Sequence, residues 1–263
     1  MAASTSPRWR PSAIGRAVHY VSRHWRPDER GFSTYAAEDR IEAYIGVPAE
    51  LTRGWLRAHT CVSAVAVQAL LVHEIRDGVT AAAIAGLQER QRPDGVWVSY
   101  WWPGFAYATY QVLRALVMGE ALSDERWLRA REAVLRYQNI DGGWSDASGK
   151  PSHAFATAMA MLALLLRVDR ACVNSLQRAA DFLVRTSVDG LWPAVPILRI
   201  PAPTTQEPQG SESWPTDAAA TNTVVADVQQ VFSTAAAVWA LSVTRDILGP
   251  CATGSRVAGH DRR

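Results

Sequence analysis

Cysteine is scarce: Cys61, Cys172 and Cys251 are the only three, and no two form a Cys-x-x-Cys pair. That rules against a disulfide framework and a zinc ribbon, and it makes a reducing, cytoplasmic setting the expectation. Charge is also low. Charged residues make up 20% of the chain and the net charge is +2, so no one-sign field calls for a nucleic-acid partner. Long apolar runs are missing too. The longest, Ala154–Leu166, falls short of the roughly 20 residues that span a bilayer and reads as a buried helix. The opening MAASTSPRWRPS is basic without the apolar stretch of a secretory signal.

Tryptophan, by contrast, is plentiful, with 11 in 263 residues. Several fall in a repeat. Gln-x-x-Asp-Gly-x-Trp occurs at Gln91–Trp97 and at Gln138–Trp144. A weaker copy lies at Thr186–Trp192, and a worn one, WRPDERGF, at Trp25–Phe32. A near-constant period of about 47 residues signals stacked supersecondary units.

An Ala-rich segment follows each copy: His59–Leu70, Phe105–Leu116, His153–Leu164 and Gln230–Leu241. Ser63, Thr109, Thr157 and Thr234 stand in one register. These segments are apolar almost all round, which predicts buried helices. The segments ahead of each copy, about Ile14–Trp25, Ala81–Gln91, Asp124–Gln138 and Val173–Thr186, have one polar face and predict outer helices. The expected fold is therefore all-α, an (α/α) toroid of about four hairpins with inner and outer layers. The motif residues read as joints. Gly95, Gly142 and Gly190 supply the positive φ that ends each outer helix, and the indoles wedge between hairpins.

The domain is expected over residues 12–246, between basic tails at 1–11 and 247–263. Two long loops interrupt it. Residues 33–58 hold a short helix near Glu38–Ile45, and the Pro-rich 193–227 reads as irregular. Both sit beside the inner-helix N-termini as candidate lids over a central mouth.

Gln-x-x-Asp-Gly-x-Trp is the signature of the squalene–hopene and oxidosqualene cyclase family, and Asp94–Leu116 and Asp141–Leu166 resemble that family's runs from motif into inner helix. The resemblance covers about residues 12–245. It implies an (α/α) barrel around an aromatic-lined cavity for an isoprenoid or polyene substrate, and no cofactor. Six hairpins close the family barrel, so four imply a ring that is open, completed by the flanks and lids, or closed by a partner. The family's acid, Asp-x-Asp-Asp directly before the Thr column, has no counterpart here. The residues ahead of the four hydroxyls are HTCV, FAYA, HAFA and QVFS. The stretch His59–Cys61 also resembles a zinc-ligand run of the related prenyltransferase β-subunits. It lies a helical turn off register and lacks the Asp-x-Cys partner, so no metal is expected.

Candidate site residues follow from the inner-helix N-termini. One column holds His59, Phe105, His153 and Gln230, and the next holds Cys61, Tyr107, Phe155 and Phe232. Aromatic faces stabilise developing positive charge, and imidazoles move protons near neutral pH. The bland reading gives the aromatics to the core and the histidines to helix caps. Trp101 and Trp102, with Phe105 and Tyr107, either line the cavity or form an apolar entrance at a membrane surface. Asp227 is either a helix cap or the acid, with His59 and His153 as relay partners. Glu38, Asp39, Glu207 and Asp217 are the other carboxylates near the mouth. The expected activity is cyclisation or isomerisation of an apolar polyene. The alternatives are a non-catalytic toroid that binds a hydrophobic ligand and a subunit of a larger barrel, including a homo-oligomer.

Overall fold

The computed structural model describes residues 11–147, 149–207 and 223–249. The inner layer consists of α4 (Thr60–Val72), α6 (Ala106–Met118), α8 (Ala154–Leu165) and α10 (Val231–Leu248). Outside it lie α5 (Gly78–Glu89), α7 (Asp124–Arg136) and α9 (Arg170–Thr186). α1 (Pro11–Arg23) lies at one edge, where Val18 and Val21 pack on the core. Inner helices pack in succession, α4 on α6, α6 on α8 and α8 on α10. Every residue of α8 is buried, as expected for the middle of an arc. The edges are different: α4 exposes Val65 and Val72, and α10 exposes Val231, Phe232, Val238 and Trp239. By length and composition α10 is apolar enough to cross a membrane, but it packs along α8 and α9.

Outer helices begin where the sequence supplies short polar caps. Asp77 accepts from the Thr80 N–H, Ser123 from Arg126, and Asp169 from Ala171 and Cys172. Such caps satisfy first-turn N–H groups that have no helical acceptor.

The repeated motif forms the joints. Gln91 Nε2 donates to the Gly95 and Arg126 carbonyls, and Gln138 Nε2 to the Gly142 and Ser175 carbonyls. Each glutamine thus ties its own turn to the next outer helix. The indoles of Trp97, Trp144 and Trp192 donate to the carbonyls of Leu87, Val134 and Leu183. Trp97 and Trp144 are wholly buried. Gly142 has φ 93°, and a Cβ there would stand 2.5 Å from the Arg178 carbonyl oxygen.

The hydroxyl column completes the joint. Thr109 Oγ1 accepts the Trp97 N–H at 3.1 Å and Thr157 Oγ1 that of Trp144 at 3.0 Å. Ser63 Oγ accepts the Phe32 N–H at 2.8 Å, so the worn copy keeps the clamp with Phe in the Trp place. In the fourth unit the clamp is missing: Thr234 Oγ1 is buried without a partner among the described residues.

One expectation needs correcting. The Pro-rich segment is not wholly irregular: β3 (Pro196–Ile200) pairs antiparallel with β4 (Thr223–Ala226). A second small ladder joins β1 (Trp25–Arg26) to β2 (Gly31–Phe32), and the architecture is the expected all-α one of inner and outer helices. The two long loops meet each other. After α2 (Ile41–Ile45), the short helix α3 (Arg53–Leu56) bonds to the second loop. Gly54 N donates to the Pro203 carbonyl, and the Trp55 indole to that of Pro201. Tyr100 Oη donates to the Thr205 carbonyl, and Arg199 is buried against the carbonyls of Ser99 and Tyr100. Together they form one cap with its own core of Ile41, Trp55, Cys61 and Tyr100. Of the expected tails at 1–11 and 247–263, residues 1–10 and 250–263 lie outside the described residues, as do Cys251 and Asp217, and α10 runs on to Leu248.

Candidate active site

Beneath the cap, the aromatic column converges. Trp102 stacks on Tyr107 at 4.5 Å and on Phe155 at 5.1 Å between ring centroids, and meets Phe232 edge-on at 5.8 Å. One indole thus bridges α6, α8 and α10. A cleft of 410 Å³ opens between α1 and α4 beside it. Its walls include Tyr20, His24, Cys61, Val65, Trp101 and Tyr107. A second hollow, on Gly15, Arg16, His19, Tyr20 and Arg23, has a single face of α1 as its only described wall; it is a surface depression rather than a site.

Of the sequence-predicted residues, Cys61, Trp101, Trp102 and Tyr107 line the cleft, and Phe155 and Phe232 join it through Trp102. Phe105 does not: its ring packs on Tyr137, at the end of outer helix α7. Gln230 sits at the start of α10 with φ 56° and makes no side-chain cap. Burial raises the Tyr107 hydroxyl to a pKa of about 12, so it stays a neutral donor and acceptor.

The proposed proton carriers are engaged elsewhere. His59 is buried, stacked on Tyr100 at 3.8 Å. Its Nε2 lies 2.9 Å from the Gly54 carbonyl, which only accepts, so Nε2 carries the proton. Its Nδ1 then accepts from Thr34 Oγ1, which in turn accepts from the Trp101 indole. Burial lowers its pKa to about 4, which makes it a neutral strut for Trp101. His153 caps α8, with Nδ1 accepting from the Ala156 N–H. Its Nε2 lies 3.1 Å from Asp146 Oδ2, close enough for an ionic contact although the N–H is out of line for a hydrogen bond. Asp227 accepts the N–H groups of Val231 and Ser233 with its two oxygens. Those are the contacts of a helix cap. Glu38 and Asp39 pair with Arg23.

Two residues escaped the sequence reading. Asp146 lies outside every repeat column, and only the distance to His153 reveals it. His24 precedes the worn motif copy and lines the cleft; its place one residue before Trp25 was the available signal.

Residues 6–197 match the family model of the squalene–hopene cyclase C-terminal domain. The chain belongs to that family. Among its relatives, a squalene–hopene cyclase of Bradyrhizobium diazoefficiens is 34% identical over 127 residues, covering 43% of this chain and 19% of the relative. A drimenyl diphosphate synthase of Streptantibioticus cattleyicolor is 31% identical over 183 residues, covering 66% of this chain and 30% of the relative. The chain thus spans about a fifth to a third of the length of the curated family members it matches. The type II terpene cyclase MstE from Scytonema, in complex with geranylgeranyl dihydroxybenzoate, superposes with a TM-score of 0.77. It is 28% identical, over 89% of this chain and 67% of the cyclase. The helical toroid is therefore the fold of the family.

Proposed function

We propose that this chain binds an isoprenoid-type polyene in the cleft beside Trp102 and cyclises or isomerises it. The observation that carries the reading is the indole of Trp102 held among Tyr107, Phe155 and Phe232. Stacked aromatic faces attract positive charge as it develops along a carbon chain. A dry, shaped wall holds the chain in a reactive fold. The cleft volume falls within the range of small-molecule sites, about 300–1,000 Å³. The family supports the substrate class: the MstE complexes hold geranylgeranyl dihydroxybenzoate as substrate and merosterolic acid A as product. The proposed trigger differs from Asp-x-Asp-Asp, because no carboxylate precedes any of the four hydroxyls. A cytoplasmic protein that meets the membrane peripherally would have access to such substrates.

The test is product formation. Purified protein is incubated with geranyl, farnesyl and geranylgeranyl diphosphates, squalene and prenylated phenols, and extracts are read by mass spectrometry. A product isomeric with its substrate is expected, lost in Trp102→Ala while the circular dichroism stays unchanged. Absence of any isomeric product across this panel overturns the enzyme reading.

A second reading is that the chain completes a larger ring, either as a homo-oligomer or with another subunit. The exposed apolar edges of α4 and α10 favour it. Light scattering on a size-exclusion column separates the two, since a lone active monomer would overturn the subunit reading.

A further inference from the structure

Two elements border the cleft and could part to admit a ligand: the cap and α1. The cap is bonded to the cleft wall through the backbone. Buried Arg199 meets three successive carbonyls of the loop that carries Trp101 and Trp102. Its guanidinium donates to those of Ser99 and Tyr100, and its backbone N–H to that of Trp101 at 2.8 Å. The Tyr100 hydroxyl and the Trp55 indole donate in turn to the carbonyls of Thr205 and Pro201. Parting the cap from this loop would strand buried donors and acceptors, which is costly.

The helix α1 is held differently. None of its described side chains is fully buried: Ala13, Ile14, Val18, Val21 and Arg23 are half-buried and the others exposed. Val18 and Val21 pack on the core, and Tyr20 and Val21 stand in the cleft wall. Among the described residues, the side-chain hydrogen bonds from α1 to other elements all come from Arg23, which donates to Glu38 at 3.0 Å and to Asp39 at 3.2 Å. The side chains of Arg23, Glu38 and Asp39 are 36%, 57% and 30% exposed, and ion pairs so open to water hold little. Directly after the helix the chain is pinned. The Ser33 N–H donates to the His24 carbonyl at 2.9 Å, and Trp25 packs on Phe32. The fixed end therefore lies at His24, and the helix ahead of it has no comparable anchor among the described residues.

We propose that ligands enter the cleft from the side, by a swing of α1 away from α4 about His24, and that the Arg23 pairs with Glu38 and Asp39 are the latch. The proposal rests on the reading of the cleft as an isoprenoid site and adds the way into it. The aromatic wall around Trp102 stays assembled through each entry, because the cap remains bonded to it while α1 moves.

Cys61 lines the cleft and is buried, so its thiol reports the opening. The full chain is treated with N-ethylmaleimide, and each cysteine is followed by peptide mass spectrometry. Where opening and closing are fast relative to labelling, the rate follows the open population. Arg23→Gln is expected to raise the Cys61 rate about 5-fold, what two half-exposed ion pairs can hold. Salt at about 1 M screens the latch and is expected to raise the wild-type rate while leaving that of Arg23→Gln unchanged. Tyr100→Phe keeps the ring and removes the bond to Thr205, and it is expected to leave the wild-type rate as it is. Cys172, wholly buried on α9, is expected to stay unmodified throughout, since global unfolding is what exposes it. A Cys61 rate unchanged by Arg23→Gln, or matched by Cys172, overturns the side route. A rise in Tyr100→Phe as large as that in Arg23→Gln places the way in at the cap and overturns it too. The salt comparison on the wild-type chain needs no variant. Farnesene added to Arg23→Gln is expected to slow the Cys61 reaction; an unslowed reaction would sink the isoprenoid reading of the cleft and leave the route standing, so the two fail separately.

Discussion

Replacing Thr by Val in the four-unit hydroxyl register separates a structural clamp from a generic buried threonine. At Thr109 and Thr157 the hydroxyl accepts the backbone N–H of a fully buried tryptophan, at 3.1 and 3.0 Å. Thr109→Val keeps the shape and leaves the Trp97 N–H buried without an acceptor, a loss of about 1–3 kcal/mol. Thr157→Val does the same to Trp144. At Thr234 the hydroxyl has no partner among the described residues, so Thr234→Val removes a buried group that is already unmatched. Its expected effect lies between neutral and a gain of about 1 kcal/mol. The expected gap between Thr109→Val and Thr234→Val is thus about 2 kcal/mol, or roughly 4–8 °C in midpoint for a chain of this length. Urea and thermal denaturation followed by far-ultraviolet circular dichroism measure it. Equal losses at all three positions would refute the clamp, because packing is the only thing those sites would then share.

Three further outcomes follow from the same geometry. Gly142→Ala sets a Cβ at 2.5 Å from the Arg178 carbonyl oxygen at φ 93°, whereas Gly149→Ala at φ 76° meets nothing; the first should cost about 3 kcal/mol or more and the second about 1, and equal midpoints in urea would count against the seam. The His59 pKa falls from 6.5 to about 4 on burial, so the unfolded chain takes up this proton first as pH drops. Stability from this group is therefore complete above about pH 6.5 and lost progressively down to pH 4, by about 3 kcal/mol in total; His59→Gln should flatten the profile, and parallel pH profiles for the two proteins would disprove it. Asp227→Asn removes one of two acceptors at the start of α10, at a cost of about 1 kcal/mol, and should leave product formation intact. A folded Asp227→Asn protein without turnover would restore Asp227 as the acid.

The sequence reveals the hairpins because their signals are local. A glycine that must reach positive φ, an indole that must find a carbonyl and an apolar helix that must be covered all repeat at one spacing. Gln91, Gly95 and Trp97 each meet a need set within their own unit or the next one. The Trp102 cluster is half legible. The column of Tyr107, Phe155 and Phe232 lies in register, but Trp102 belongs to a loop outside any period. Phe105 stands in a favourable column and nevertheless turns to Tyr137, because the residue before a helix start does not follow the helical face rule. The β3–β4 ladder and the bond from Trp55 to the Pro201 carbonyl, 146 residues away in sequence, are long-range pairings without a local mark.

What the cleft holds bears on its chemistry. Protonating a bare alkene takes a strong acid aimed at the double bond. Of the carboxylates that the sequence offered and the structure shows, Asp227, Glu38 and Asp39 are held by backbone N–H groups or by Arg23, and Glu207 is exposed on the second loop. His59 is kept neutral beneath the cap. The ionisable side chains on the cleft wall are instead Tyr20, His24, Cys61 and Tyr107, and no carboxylate among the described residues lines it. Under the proposed function, Trp102 and its neighbours select the fold in which the isoprenoid reacts. Turnover of the isoprenoid should persist in Asp227→Asn and fall in Trp102→Ala, and the reverse pattern would place the driving force in an acid after all.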